Sequence, residues 1–350
     1  MKNWQKLLQA SLTHPEEIPA RLRPATWDLK AVTARYPMRI NPYYLGLIRH
    51  PGDPLWLQSI PDPIELDDRI CPEDPLEEEN LSPVPNLVHK YPDRALFLIN
   101  STCAMNCRFC TRKRKVGTPG FRIDSATLGQ GIDYLERTPA IRDVLISGGD
   151  PLLLDDDRLE WILARVRRIP TVSIIRLGSR VPCTLPMRVT TGLARMLKKF
   201  HPLYLNTHFN HPDEITPEAA KACGRLADAG IPLGCQTVLL KGVNDQEVII
   251  KQLMQKLLHI RVKPYYIFQG DMTRGTNHFR TPIETGMKIM RALIGHTSGM
   301  GVPRFAIDLP GGFGKVPMTP DYLVRTGGEM IFQNYQGRYC SYLDPEVAPE

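Results

Sequence analysis

The sequence has 350 residues, 42% of them hydrophobic, and carries a formal net charge of +7. It can bury a sizeable core, and it holds no apolar run approaching the roughly 20 residues that span a membrane. The basic excess comes with no aromatic-rich RNA-binding module and no helix-turn-helix pattern, so a solvated basic face explains it and no nucleic-acid partner is expected.

The N-terminus, Met1-Lys-Asn-Trp-Gln-Lys6, lacks an apolar signal region, which leads us to expect a cytoplasmic protein with no membrane partner. Residues 1 to about 90 are rich in Pro, Arg and acidic side chains, with short amphipathic stretches such as Trp4 to Leu12. They read as a helical or irregular layer wrapped on the main domain. Asp62 to Arg69 and Cys71 to Glu79 read as turns and surface.

From about Arg94 the pattern becomes regular. Apolar runs predict strands near 95–100, 143–147, 172–177, 203–207, 233–239, 264–268 and 304–308. Helical periodicity between them predicts helices near 125–137, 155–168, 189–199, 216–229, 246–258 and 282–294. Strand–helix alternation means a parallel sheet with helices outside, and six repeats plus a last strand fit a barrel or incomplete barrel. In such a fold chemistry sits where strands end. Ser147-Gly-Gly-Asp150, Gly178-Ser-Arg180, Asn206 to Asn210, Gln236 and Tyr265 to Asp271 all fall there or in the strands themselves.

The first strand leads into Cys103-Ala-Met-Asn-Cys107-Arg-Phe-Cys110. Thiolates are soft ligands suited to iron–sulfur clusters, and a four-iron cluster takes one thiolate per iron. Three cysteines therefore leave one iron open to something that is not protein. Structural zinc would want a fourth Cys or His, and none sits at suitable spacing. The remaining cysteines, Cys71, Cys183, Cys223, Cys235 and Cys340, are scattered and read as thiols of a reducing compartment. The basic run Arg112-Lys-Arg-Lys115 follows the motif directly and suits a site for anionic small molecules.

Asp308-Leu-Pro-Gly-Gly-Phe-Gly-Lys315 lacks the spacing of a nucleotide phosphate loop. A lysine on such a glycine-rich loop can carry pyridoxal phosphate as an imine, or it can be a surface lysine on a flexible turn; the residues alone leave both open.

The cysteine motif resembles that of the radical S-adenosylmethionine enzymes, in which S-adenosylmethionine chelates the open iron. The region from about Asp74 to Tyr339 resembles lysine 2,3-aminomutase, on Leu87 to Arg94, the cysteine motif with Thr111-Arg112, Ser147 to Asp150, Leu205 to Ile215, Gln236 to Asp245, Pro264 to Pro282 and Asp308 to Lys315. The resemblance implies an α/β fold, a radical S-adenosylmethionine partial (β/α)6-type TIM barrel over about 91–310. An N-terminal layer over 1–90 and a pyridoxal-lysine loop and tail over 311–350 complete it.

It implies three cofactors, a [4Fe-4S] cluster, S-adenosylmethionine and pyridoxal 5′-phosphate. Cys103, Cys107 and Cys110 would hold the cluster. Ser147, Gly148, Gly149, Asp150, His208 and Gln236 would line the S-adenosylmethionine site. Lys315 would carry pyridoxal phosphate, with Lys90 and Arg94 facing it. Arg112 would pair with the substrate carboxylate, and Asp271 and Asp308 would bind a distal ammonium. Acidic residues at both positions argue for lysine and against glutamate, and leave arginine open. The expected reaction moves the α-amino group of L-lysine to C3, giving β-lysine, with a reductant such as flavodoxin or ferredoxin.

The chain stops soon after Cys340, short of the cysteine-rich zinc segment of longer relatives, so no zinc is expected and a homo-oligomer stays open. A short branch that serves elongation factor P differs at the lysine loop, but remains an alternative, as does an aminomutase for arginine or another amino acid. An iron–sulfur electron carrier or regulator is the non-enzyme alternative.

Overall fold

The computed structural model describes residues 2–23, 28–326 and 329–343. Nine strands form one sheet in chain order: β1 (Leu87–Tyr91), β2 (Arg94–Asn100), β3 (Asp143–Gly148), β4 (Ile174–Gly178), β5 (Leu203–Thr207), β6 (Leu233–Leu239), β7 (Lys263–Gln269), β8 (Arg304–Leu309) and β9 (Gly314–Met318). β2 to β8 are parallel, and β1 and β9 run antiparallel on the two edges. Helical segments join the parallel strands, including Ser125–Arg137, Asp156–Arg167, Thr191–Leu197, Pro217–Asp228, Glu247–His259 and Ile283–Leu293. This is the expected incomplete (β/α)6 barrel with its closing strand. Among the described residues, no helix is long and apolar enough to cross a membrane.

Two expected boundaries move. The sheet begins inside the stretch read as N-terminal layer, because Leu87–Tyr91 turns back on β2 as a hairpin around Pro92-Asp93. It also extends past 310, because Lys315 lies on β9 and pairs in register with Asp308 of β8. Local rules miss β9 because its run contains Gly314 and Pro317. Pro317 is tolerated there because β9 is an edge strand, with no further neighbour to receive its missing N–H. The tail forms a small antiparallel sheet of β10 (Leu323–Arg325), β11 (Glu329–Gln333) and β12 (Tyr339–Leu343). The described residues before β1 are otherwise short helices and turns, with a bridge from Ile40 to Met105 tying them to the cysteine loop.

Side chains alternate across the strands with period two. One face of each strand is buried under the helices: Ala95, Phe97 and Ile99, then Val144 and Ile146, then Ile175 and Leu177. The alternate residues, among them Asn100, Leu145, Ser147, Arg176, Asn206 and Gln236, are only partly buried. The opposite face therefore lines a lumen with room left in it. Across β4, β5 and β6 one row reads Gly178, Asn206, Gly234, so a single side chain stands between two bare positions.

Candidate active site: a cluster loop, a bare lumen and a lysine on the closing strand

The cysteine loop leaves the C-terminal end of β2, as a barrel requires of its chemistry. Burial pushes the Cys103 and Cys110 thiols up, and nearby negative charge adds to it, from Asp150 and the other two cysteines at Cys103 and from Cys107 at Cys110. Thiolates here need a cationic partner, which iron supplies. Among the described residues, no group of three His, Cys, Asp or Glu side chains is arranged to hold a single ion. A cluster that takes each thiolate on its own iron does not need that convergence. Sulfur also receives donors: Arg180 Nη1 reaches Cys107 Sγ at 2.8 Å, and the Arg112 N–H reaches Cys110 Sγ at 3.4 Å. Hydrogen bonds to sulfur tune cluster potentials. The residues present fit the cluster.

Two buried ion networks fix this loop. Arg180 Nη2 donates to Glu214 at 2.7 Å and to Gln58 at 2.6 Å, and Glu214 also accepts from Tyr44. On the other side Glu65, fully buried, accepts from Arg108 at 2.5 Å and from Lys113 at 2.8 Å. Lys113 also donates to the carbonyls of Arg108 and Gly275, which ties the loop to the segment after β7. Removing the shared carboxylate would leave two buried cations without their anion. Glu65→Gln is therefore expected to destabilise the protein by about 3–5 kcal/mol. Thermal unfolding and iron content would both fall; an unchanged melting temperature would contradict the role given to this pair.

The basic run is not a free basic surface. Arg112 pairs with Glu78, Lys113 with Glu65, Arg114 with Asp74 and Glu79, and Lys115 with Glu79. The acidic stretch 74–79, read from sequence as turns and surface, is a strap that pairs with Arg112, Arg114 and Lys115, while Glu65 takes Lys113.

The lumen fits a polar ligand beside the cluster. Gly148 has φ +130°, and a Cβ built on Gly148 or Gly149 would lie 2.3 Å from the Asn100 or Thr102 carbonyl oxygen. Only glycine lets this strand end lie against the start of the cysteine loop. Asn206 Nδ2 is buried without a partner between its two glycine neighbours, an orphan donor that a bound ligand would satisfy. Gln236 stands on the lumen face of β6, partly buried, as does Ser147 on β3. His208 is pushed down to about 3 by burial and by Arg180, so it is neutral. Its Nε2 is 2.8 Å from Asn210 Oδ1, which makes Nε2 the donor and leaves Nδ1 as an acceptor. Its ring packs on Phe109 of the cysteine loop, with centroids 5.4 Å apart.

Asp150, expected to line the S-adenosylmethionine site, has its carboxylate engaged by the protein itself. Its two oxygens accept from Ser179 Oγ and from the backbone N–H groups of Leu152, Arg180 and Val181, at 2.7–3.1 Å. Burial still lifts it to about 6. Its carboxylate is spent on holding the β3 and β4 loops together, which in turn positions Arg180.

The third part lies where the two sheet edges meet. Lys90 of β1 reaches Asp308 of β8 at 3.0 Å, and Lys315 of β9 pairs with the other oxygen of Asp308. The Lys315 backbone N–H donates to Tyr91 Oη at 3.2 Å. Asp271, just beyond β7, is lifted to about 7, first by burial and then by Asp308, with Lys315 and Lys90 pulling the other way. A primary amine, a second cation for a phosphate and flanking carboxylates suit a lysine-bound pyridoxal phosphate. Arg94 does not enter this cluster directly. It is 45% exposed at the start of β2, and its guanidinium lies over the Tyr91 ring, 4.2 Å from the centroid. Tyr91 links Arg94 to Lys315, and sequence reasoning missed its part; Glu78 and Glu214 were missed likewise, whereas Asn206 was placed at a strand end without a role. Tyr91, Asn206 and Glu214 did lie inside the motifs that carried the resemblance.

A cluster loop with three thiolates at the mouth of an open barrel, and a lysine on its closing strand, define a radical S-adenosylmethionine enzyme that also uses pyridoxal phosphate. Residues 97–253 match the Radical SAM superfamily and residues 290–349 match Lysine-2,3-aminomutase. The chain is 51% identical over 312 residues to L-lysine 2,3-aminomutase of Clostridium subterminale, covering 88% of this chain and 75% of that one. It is 50% identical over 315 residues to the enzyme of that name from Methanococcus maripaludis, covering 89% and 73%. It is also 45% identical over 319 residues to glutamate 2,3-aminomutase of Clostridioides difficile, covering 90% and 76%. The chain belongs to the lysine 2,3-aminomutase family, and it is an isomerase that uses a [4Fe-4S] cluster, S-adenosylmethionine and pyridoxal phosphate.

Proposed function

We propose that this protein moves the α-amino group of L-lysine to C3, giving β-lysine. The observation that carries the choice of lysine is the pair of carboxylates beside Lys315. Asp308 already holds two ammonium groups, those of Lys90 and Lys315, and Asp271 adjoins it. A site of this kind accepts a substrate ammonium and repels a second substrate carboxylate, since buried charge must be paired. Overall similarity does not separate the two substrates, because glutamate and lysine enzymes both align over most of the chain.

When bound, the cluster and S-adenosylmethionine supply a 5′-deoxyadenosyl radical, and pyridoxal phosphate supplies the ring that eases nitrogen migration. The protein's own residues bind and orient. Lys315 presents the amine that holds pyridoxal phosphate, Lys90 offers it a cation, and Arg94 steadies Tyr91 beneath. Arg112 takes the substrate carboxylate and Asp271 with Asp308 take the distal ammonium, so the β carbon is held between two fixed ends. Positioning of this kind is worth many orders of magnitude in rate. Ser147, Gly148, Gly149, His208 and Gln236 form the wall toward the cluster. A cytoplasmic location and a low-potential donor such as flavodoxin or ferredoxin complete the reading.

The test is anaerobic turnover of the reconstituted, reduced enzyme with lysine, arginine and glutamate offered separately. β-Lysine formed without matching consumption of S-adenosylmethionine is expected. Release of 5′-deoxyadenosine with no β-amino acid would keep the radical chemistry and overturn the substrate.

A further inference from the structure

We infer that Glu78 is the positioning residue for substrate-carboxylate recognition: it grips one edge of the Arg112 guanidinium and so presents the other edge to the substrate. This rests on the proposed role of Arg112.

The geometry is specific. Glu78 Oε2 accepts from Arg112 Nε at 2.9 Å, and Oε1 accepts from Nη2 at 2.5 Å. That is the side-on fork of an arginine–carboxylate pair. A guanidinium has a second, end-on edge formed by Nη1 and the remaining hydrogen of Nη2. No protein hydrogen bond from Arg112 Nη1 occurs among the described residues, and Nη1 is not among the buried atoms without a partner. One edge is therefore occupied and the other is available. Both side chains are largely buried, 18% exposed for Arg112 and 9% for Glu78, so the pair is not a loose surface contact.

Glu78 also stands at a junction. Its neighbours in the strap hold two more residues of the basic run, with Asp74 and Glu79 on Arg114 and Glu79 on Lys115. The strap's Pro75 carbonyl accepts the Gly311 N–H at 2.8 Å, next to the lysine-bearing strand. Glu78 is close enough to Asp271 to help lift its carboxyl. The strap thus fixes the distance between the guanidinium at one end of the substrate and the carboxylates at the other. Three methods of losing that register are available to a variant: a flexible Arg112, a rotated one, or one whose end-on edge turns away. A glutamine at 78 offers one acceptor instead of two, and its amide N–H opposes an arginine N–H.

The experiment compares binding of L-lysine with L-lysinamide, which lacks the carboxylate, to holoenzyme and to the Glu78→Gln and Glu78→Asp variants. Binding is read from the change in pyridoxal absorbance, not from turnover, with iron content and melting temperature measured alongside. Wild type is expected to favour lysine over lysinamide. In Glu78→Gln the affinity for lysine should fall about tenfold or more, the affinity for lysinamide should hold, and the preference should collapse. Glu78→Asp keeps the charge and should restore part of it. An unchanged preference in Glu78→Gln overturns the proposal. So does an equal fall for both ligands, which is what a merely structural role gives. Should Glu78→Gln fail to fold, full wild-type preference in Glu78→Asp, whose shorter arm cannot keep the same fork, overturns it too. If wild type itself shows no preference, Arg112 does not read the carboxylate, and the proposal falls with that reading.

Discussion

Lys315→Ala is expected to lose the absorbance of bound pyridoxal phosphate and to lower turnover by at least about a thousandfold, because the amine that holds the cofactor is gone. The fold should survive the change. Lys315 lies on an edge strand, and its partner Asp308 keeps a second cation, Lys90, at 3.0 Å. Cluster content should be unchanged, since no residue of the cysteine loop contacts Lys315 in the hydrogen bonds and ion pairs described. The measurement is the visible spectrum and β-lysine formation on the same reconstituted sample. Retained absorbance together with retained turnover would remove Lys315 from its role. Lost turnover with retained absorbance would move pyridoxal phosphate to another amine, and Lys90 is the nearest candidate on the sheet edge.

The double variant Asp271→Asn, Asp308→Asn is expected to weaken lysine binding by about a hundredfold or more, as when a buried ammonium loses its charged partners. Cluster assembly should be intact, and weak binding of glutamate should not fall with that of lysine. Equal affinity for lysine in the double variant would contradict the ammonium site. Asp308 also holds Lys90 and Lys315, so the single variant Asp271→Asn is the cleaner probe, and it carries a pH signature. Asp271 is lifted to about 7 by burial and by Asp308, against the pull of Lys315 and Lys90. The form that binds an ammonium is the carboxylate, which is depleted below the lifted pKa. The kcat/KM for lysine should therefore rise with pH, by up to about tenfold per unit, and level off above about 7. Asp271→Asn should lower the plateau and remove that inflection. An inflection that persists belongs to another group.

The spacing Cys103, Cys107, Cys110 and the alternation of apolar strands with helical periods were local signals, and they predicted the cluster loop and the parallel barrel. Strands at 203–207 and 233–239 and the helix at 125–137 fall where periodicity places them. Resemblance gave roles to Lys315, Asp271 and Asp308, which the glycine-rich loop and the strand ends had left open.

Other parts depend on contacts between residues far apart in the chain. β1 and β9 are short, and Gly314, Pro317 and charged side chains mask them; they are strands because each has an edge of the sheet to pair with. Glu65, Glu78 and Glu214 look like surface carboxylates in a list of residues. They are buried ion partners because the folded chain sets Arg108, Arg112 and Arg180 against them, where an unpaired charge would be severely penalised. Asp150 sits in a glycine motif that suggests a ligand contact, yet four protein donors take up its carboxylate. The sequence by itself determined the cluster loop and the parallel barrel, because three thiols at fixed spacing and periodic burial are written in neighbouring residues, and its resemblance to a family implied the other two cofactors. Only the tertiary structure decided which charges are free to meet a substrate, because pairing is settled by distances between segments that the sequence keeps apart.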